Sequence, residues 1–136
     1  MPLDEIATKS AAEIVEKYLE ASMIPDPVAA AKYIAKDVRI TFTGGRQFRH
    51  PSDCAAFNAR RYAWVKKKME RSDVVPGADE TIVYNTGTLY GAWPDGTPFE
   101  GNRYVDRFVV RNGLIVDMQV SNDSAERILT MRGIEA

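Results

Sequence analysis

The chain has 136 residues, enough for one domain with a real hydrophobic core, and 45% of them are hydrophobic against 27% charged, the balance of an ordinary globular protein. With 18 basic and 19 acidic residues the net charge is -1, which argues against nucleic acid or an anionic membrane as a partner. The lone cysteine, Cys54, excludes an internal disulfide and suits a reducing compartment. The start "MPLDEIATKS" has no basic stretch followed by an apolar core, and no run approaches a membrane span, so a cytoplasmic location is expected.

Ser10 followed by Glu13 reads as a capping box and predicts a helix starting there. Ala11, Ile14, Val15, Tyr18 and Ser22 form one stripe of it, and it ends before "IPDP". Asp26 and Pro27 repeat the start signal, an N-cap followed by proline at the first helical position, for a short helix over 27–35. In "DVRITFTGG", Val38, Ile40 and Phe42 alternate with polar residues, the mark of a half-buried strand that Gly44 and Gly45 end. Ser52 caps a third helix expected over 53–70.

The remainder reads as β. "ETIVYNTGTLYGAW" and "FEGNRYVDRFVVR" are strands joined by a turn at Asp95-Gly96, and Asn112-Gly113 turns the chain into a last strand, "LIVDMQVSN". A short terminal helix is expected from Asp123. No repeat, linker or low-complexity segment interrupts the pattern. Helices come early and strands late, so the fold class is α+β, with helices packed on one face of a three-stranded antiparallel meander.

Two features point to a site. Strand residues alternate in facing, so in "NRYVDRFVV" Tyr104, Asp106, Phe108 and Val110 share one face and Arg103, Val105, Arg107 and Val109 the other. The apolar face therefore carries a carboxylate, Asp106. In an apolar pocket its pKa would rise, which makes a useful general acid or base; a salt bridge to Arg61, Arg103 or Arg107 would explain it structurally. On the third helix, Phe57, Cys54, Trp64, Val65 and Met69 fall in one broad apolar half. Lys66, Lys67 and Glu70 fall in the other, solvated half. Asn58 and Arg61 intrude on the apolar half. Arg61 is either a structural ion pair or snorkelling side chain, or a pocket wall that holds a ligand carboxylate or enolate, with Asn58 donating a hydrogen bond. Asp106 is its natural partner under either reading.

The element order, "G-x-x-x-G-x-x-x-D-G" from Gly87 to Gly96 and "R-Y-V-D-R-F-V-V-R-N-G-L-I" from Arg103 to Ile115 resemble the nuclear-transport-factor-2-like (NTF2-like) superfamily. Within it, the chain is most similar to the SnoaL-like group of polyketide-cyclase type. The resemblance covers nearly the whole chain as a single domain, and it is good for fold and poor for function. It implies a cone-shaped, cystatin-like fold with three N-terminal helices on a curved antiparallel sheet. It also implies a deep, mostly apolar pocket, chemistry without metal or organic cofactor, and a homodimer formed through the sheet. A single His50 cannot complete a two-histidine dehydratase set, and Arg103 and Asp106 lack the one-residue spacing of the epoxide-hydrolase group. The use of one strand carboxylate as acid and base, as in the cyclases, is the least contradicted, and Asp106 would carry it.

The resembling fold places His50 near the pocket mouth, which makes it a candidate for proton transfer beside the plainer reading of a surface residue at a helix start. One His and one Cys are too few for a typical zinc site. Tyr18, Trp64, Tyr90, Trp93 and Tyr104 are each explained by core packing; taken together on a cone, some should line the cavity and suit a ring-bearing ligand. Three readings follow. The first is a cofactor-independent isomerase, dehydratase or aldol-type cyclase acting on a small cyclic or aromatic carbonyl or carboxylate compound. The second is a ligand-binding protein of the same shape. The third is an accessory subunit of a larger enzyme.

Overall fold

A computed structural model describes residues 3–134, with side chains from residue 10 onward. The chain begins with α1 (Leu3–Met23) and α2 (Pro27–Ala31), followed by β1 (Ile34–Thr41), a 3-10 turn over Thr43–Gly45, and β2 (Gln47–Phe48). Then come α3 (Pro51–Arg61), β3 (Trp64–Pro76), β4 (Thr81–Ala92), β5 (Pro98–Arg111), β6 (Leu114–Asn122) and α4 (Ser124–Met131). The six strands form one sheet in the order β2-β1-β6-β5-β4-β3, antiparallel throughout except for the parallel β1–β6 pair.

α1 buries Ala11, Val15, Tyr18 and Leu19 against the sheet, the i, i+4, i+7, i+8 stripe of an amphipathic helix. It already runs through Ser10, so Ser10 is an exposed mid-helix residue and caps nothing. A capping box works only where the backbone enters the helix. Asp26 does cap α2, accepting from the Ala29 amide at 3.0 Å, though α2 stops at Ala31 rather than Ala35.

The largest departure from the sequence reading lies after Arg61. Tyr62 takes an extended conformation (φ -128, ψ 150) and ends α3. The lysine-rich segment expected to continue the helix is instead the 13-residue strand β3, paired along its length with β4 from Trp64↔Ala92 to Pro76↔Thr81. Lys, Met and Glu favour helix only weakly, and a full ladder of hydrogen bonds to a neighbouring strand overrides that preference. The meander therefore has four strands, and the sheet gains two strands over those predicted, β3 at one edge and the two-residue β2 at the other.

Register irregularities at Met69/Arg71, Leu89/Tyr90 and Val109/Val110 bend the sheet. Glycine permits the closest approach between strands: a Cβ on Gly87 would lie 2.1 Å from the Lys68 carbonyl oxygen, and one on Gly91 2.1 Å from that of Trp64. The hairpin turns form as the sequence predicts, with Asn112, Gly113 and Gly96 all at positive φ. The helices close the concave face over one core that includes Val15, Leu19, Ile40, Phe108 and Met118. A second, aromatic cluster of Tyr62, Trp93, Phe99, Tyr104 and Leu89 fills the other end. Among the described residues no helix is long and apolar enough to cross a membrane.

Candidate functional site

Between α1, α2, α3 and the concave face of the sheet lies a cavity of about 220 Å³, walled mostly by apolar side chains such as Leu19, Phe42, Met118 and Val120. A smaller space of about 70 Å³ adjoins it toward Phe57 and Leu89. Ile24 and Trp64 line the cavity and are 70% and 49% exposed, which places its mouth between the α1–α2 loop and the start of β3.

Asp106 opens on this cavity from the middle of β5 and is 0% exposed. Tyr104, Phe108 and Val110 are buried on the same side of the strand, as alternation predicts. Its partner, however, is Lys67 of β3, whose Nζ donates to Oδ2. Oδ1 is buried without a hydrogen-bond partner. Burial raises the pKa of Asp106 above the ordinary carboxylate value; the Lys67 ammonium and, more weakly, the Ser121 backbone amide pull the other way, with burial prevailing. The Lys67 side chain is only 18% exposed, and its Nζ sits over the Tyr104 ring, 4.7 Å from the centroid. That ring is held by its hydroxyl, which donates to Asn85 Oδ1 at 2.6 Å, while Asn85 Nδ2 donates to Ser72 Oγ at 3.0 Å.

Lys67 is the residue that sequence reasoning missed. On a helical wheel it falls on the solvated half beside Lys66. On a strand, Val65, Lys67 and Met69 share one side and Trp64, Lys66 and Lys68 the other, so Lys67 turns inward with its apolar neighbours. In the structure this segment alternates between half-buried and exposed residues, but in the sequence a run of three lysines leaves no apolar–polar alternation to reveal it.

The other candidates divide. Tyr18, Asn58 and Trp64 line the cavity with Asp106. Tyr18 is buried, meets Phe108 edge-on at 6.0 Å, and has its phenol pKa raised by that burial. Arg61 does not line the cavity: its guanidinium lies 4.8 Å over the Phe57 ring and reaches Thr43 Oγ1 at 3.4 Å. The expected Arg61–Asp106 pairing is therefore replaced by Lys67–Asp106, because the helix ends at Arg61 and the chain turns before this side chain can face the sheet.

His50 is exposed and serves as the N-cap of α3, where the Ser52 amide donates to Nδ1 at 3.0 Å and Asp53 Oδ2 accepts from the His50 amide at 3.2 Å. The proton-transfer role expected of His50 at the mouth finds the ring engaged through Nδ1 in capping α3 and outside the cavity lining. Trp93 stacks on Tyr62 at 5.6 Å and on Phe99 at 4.4 Å behind the cavity wall, and Tyr90 is exposed, edge-on to Trp64 at 5.9 Å. Tyr104 backs Lys67 rather than lining the space. Trp93, Tyr90 and Tyr104 thus stand outside the cavity: Trp93 and Tyr104 are buried in the aromatic cluster at the other end of the fold, and Tyr90 lies exposed on the outer side of β4.

Two further groups face the space. Ser22 Oγ is buried without a partner. The Cys54 thiol is pushed up to about 12, by burial first and by Asp53 next, so it stays protonated and is no nucleophile at neutral pH. Among the described residues no cluster of three or more His, Cys, Asp or Glu side chains comes together.

No protein-family model matches the chain, and no curated protein matches it. Solved structures do. An NTF2-like protein of unknown function from Burkholderia pseudomallei K96243 is 20% identical with a TM-score of 0.70, over 93% of this chain and 98% of its own. A protein provisionally named a SnoaL-like polyketide cyclase, from Jannaschia sp. CCS1, is 16% identical with a TM-score of 0.69, over 90% of this chain and 92% of its own. One provisionally named a ketosteroid isomerase, from Shewanella frigidimarina NCIMB 400, is 15% identical with a TM-score of 0.66, over 82% and 94%. The chain has the NTF2-like, cystatin-like fold, the fold that SnoaL-like proteins share.

Proposed function

We propose that the protein is a small-molecule enzyme that moves protons in its apolar cavity. The reaction would be an isomerisation, dehydration or aldol-type cyclisation of a small cyclic or aromatic carbonyl or carboxylate compound, with no cofactor taking part. One observation carries this reading: a fully buried carboxylate with a free oxygen, raised pKa and a cationic neighbour opens on an otherwise apolar space. Such a group is a competent base for a proton on carbon next to a carbonyl. Asp106 Oδ1 would take the proton. The N–H groups of Lys67 not used on Oδ2 would stabilise the developing enolate oxygen, with Asn58 as a second donor from α3. Similar structures named as a polyketide cyclase and a ketosteroid isomerase support this class of chemistry at low identity.

A second reading, a binding protein without chemistry, is favoured by the fact that Asp106 already has a partner in Lys67. One experiment separates the two. Thermal shifts are measured with small aromatic acids, cyclic ketones and β-keto compounds. A ligand at a hundred times its dissociation constant adds roughly 2.7 kcal/mol to stability. Turnover of each hit is then followed in the wild type and in Asp106→Asn. Acid–base catalysis predicts that the variant keeps most of the thermal shift while kcat falls by about 10²–10⁴. Because the carboxylate is the active form, wild-type kcat should climb as pH rises through the raised pKa. A ligand recovered unchanged from both proteins establishes the binding reading.

A further inference from the structure

We propose that Lys67 is an amine nucleophile that captures the carbonyl group of a small aromatic aldehyde or ketone as an imine inside the cavity. This rests on the reading of the cavity as a carbonyl-ligand site and extends it from proton transfer to covalent chemistry.

Four observations place this chemistry on Lys67. Its Nζ reaches the cavity from β3 and is largely withdrawn from water. Lys66 also borders the space but is exposed, on the opposite side of its strand. The partner of Lys67 is a carboxylate left half-satisfied: Oδ2 accepts from Nζ, while buried Oδ1 makes no well-formed hydrogen bond and feels only the pull of the Ser121 backbone amide. A purely structural buried ion pair is stable only when its remaining lone pairs are satisfied as well, so the free oxygen faces a group that arrives with the ligand. The apolar walls keep water from an imine once it has formed. Finally, the Tyr104 ring face lies 4.7 Å from Nζ, where it favours a cation, and a protonated imine keeps the positive charge at that nitrogen.

The groups facing Nζ supply the proton traffic. Asp106 of β5 is in direct contact with it. Tyr18 of α1 and Cys54 of α3 line the same space with their protons held on by burial, so neither competes for the proton that Lys67 must lose. The Lys67 ammonium passes one proton to Asp106 along the existing hydrogen bond. The freed nitrogen lone pair forms a bond to the carbonyl carbon, and the carbonyl π pair moves to oxygen. That oxygen takes the proton from Asp106, giving a neutral carbinolamine after the nitrogen's surplus proton returns to the carboxylate. Asp106 then protonates the departing hydroxyl, the carbon–oxygen bond breaks, and the nitrogen pair closes the double bond. The sum is one ammonium and one carbonyl compound giving one protonated imine and one water, with no oxidant or reductant.

The test uses the intact wild-type chain, benzaldehyde as probe and cyanoborohydride to reduce any imine to a stable amine, followed by mass-spectrometric mapping. Lys67 should acquire the benzyl group about ten-fold faster than its strand neighbours Lys66 and Lys68, a preference set by its site. Benzyl alcohol, a ring of the same size without a carbonyl, should compete for the cavity and suppress labelling of Lys67 alone. The preference should vanish in urea. Labelling of Lys67 at or below the rate of Lys66 and Lys68 overturns the proposal. If benzyl alcohol or benzaldehyde still raises the melting temperature in that case, the ligand-cavity reading survives and only the covalent step is lost; if neither does, both fall.

Discussion

Asp106 sets the pH behaviour of the molecule as well as its chemistry. Burial raises its folded pKa above the ordinary 3.8, so the folded state holds the proton more tightly than the unfolded chain does. The stabilisation tied to the protonated form is complete below the unfolded value and is lost as pH rises through the folded one. The unfolding free energy of wild type relative to Asp106→Asn should therefore fall between about pH 4 and the raised folded pKa, then level off. Urea titrations across this range check it; a difference that grows with pH would mean that Lys67 outweighs burial. His50 makes a separable prediction. If it acts as a cap, His50→Ala should cost roughly 1 kcal/mol of stability and leave ligand-induced shifts and turnover unchanged. A fall in kcat with no change in melting temperature would restore the proton-transfer role instead.

At the scale of elements, the decisive feature is the exchange of helix for strand after Tyr62. It carries Lys67 from solvent to the cavity and lets β3 form the outer strand of the curved sheet. The close approach of β3 to β4 depends on Gly87 and Gly91, where any side chain would meet backbone oxygen at 2.1 Å. Gly87→Ala should destabilise by about 3 kcal/mol, since backbone atoms on both strands must move to relieve the overlap. Chemical denaturation measures the loss, and the same change at exposed Gly96, where a Cβ meets nothing within 4 Å but φ is +89, separates steric overlap from turn strain. Behind the site, Tyr62 donates to Ser124 Oγ at 2.9 Å and Asn102 to the same oxygen at 3.0 Å. This buried junction ties the end of α3 to α4 and β5, and it is where Trp93 is consumed as packing.

For the whole molecule, the helices, the core and the cavity occupy the concave face of the sheet, and among the described residues the convex face carries exposed apolar side chains. That outer face presents Val75, Tyr90 and Val105 at 51%, 39% and 46% exposure. A homodimer through this face, the association that the fold resemblance implies, remains a proposal, and its observable is the mass in solution. Sedimentation should give twice the mass of one chain, and Val105→Glu should return it to one, because a carboxylate in the centre of a sheet-to-sheet contact would be buried without a partner.

The sequence by itself determined the class of fold, the hairpin turns at Asp95-Gly96 and Asn112-Gly113, and the inward face of β5 with Asp106 on it. These depend on short-range rules: turn geometry that only a few residues adopt, and the strict alternation of a strand with clear apolar and charged sides. Tertiary structure alone decided the rest. Whether 64–70 is helix or strand turns on a ladder to β4, which no local window contains, and the identity of the partner of Asp106 turns on that choice. Arg61 was the better candidate from chemistry, since buried carboxylates favour a guanidinium. Lys67 holds the position because strand pairing brought its side of β3 over the same concave face that carries Asp106.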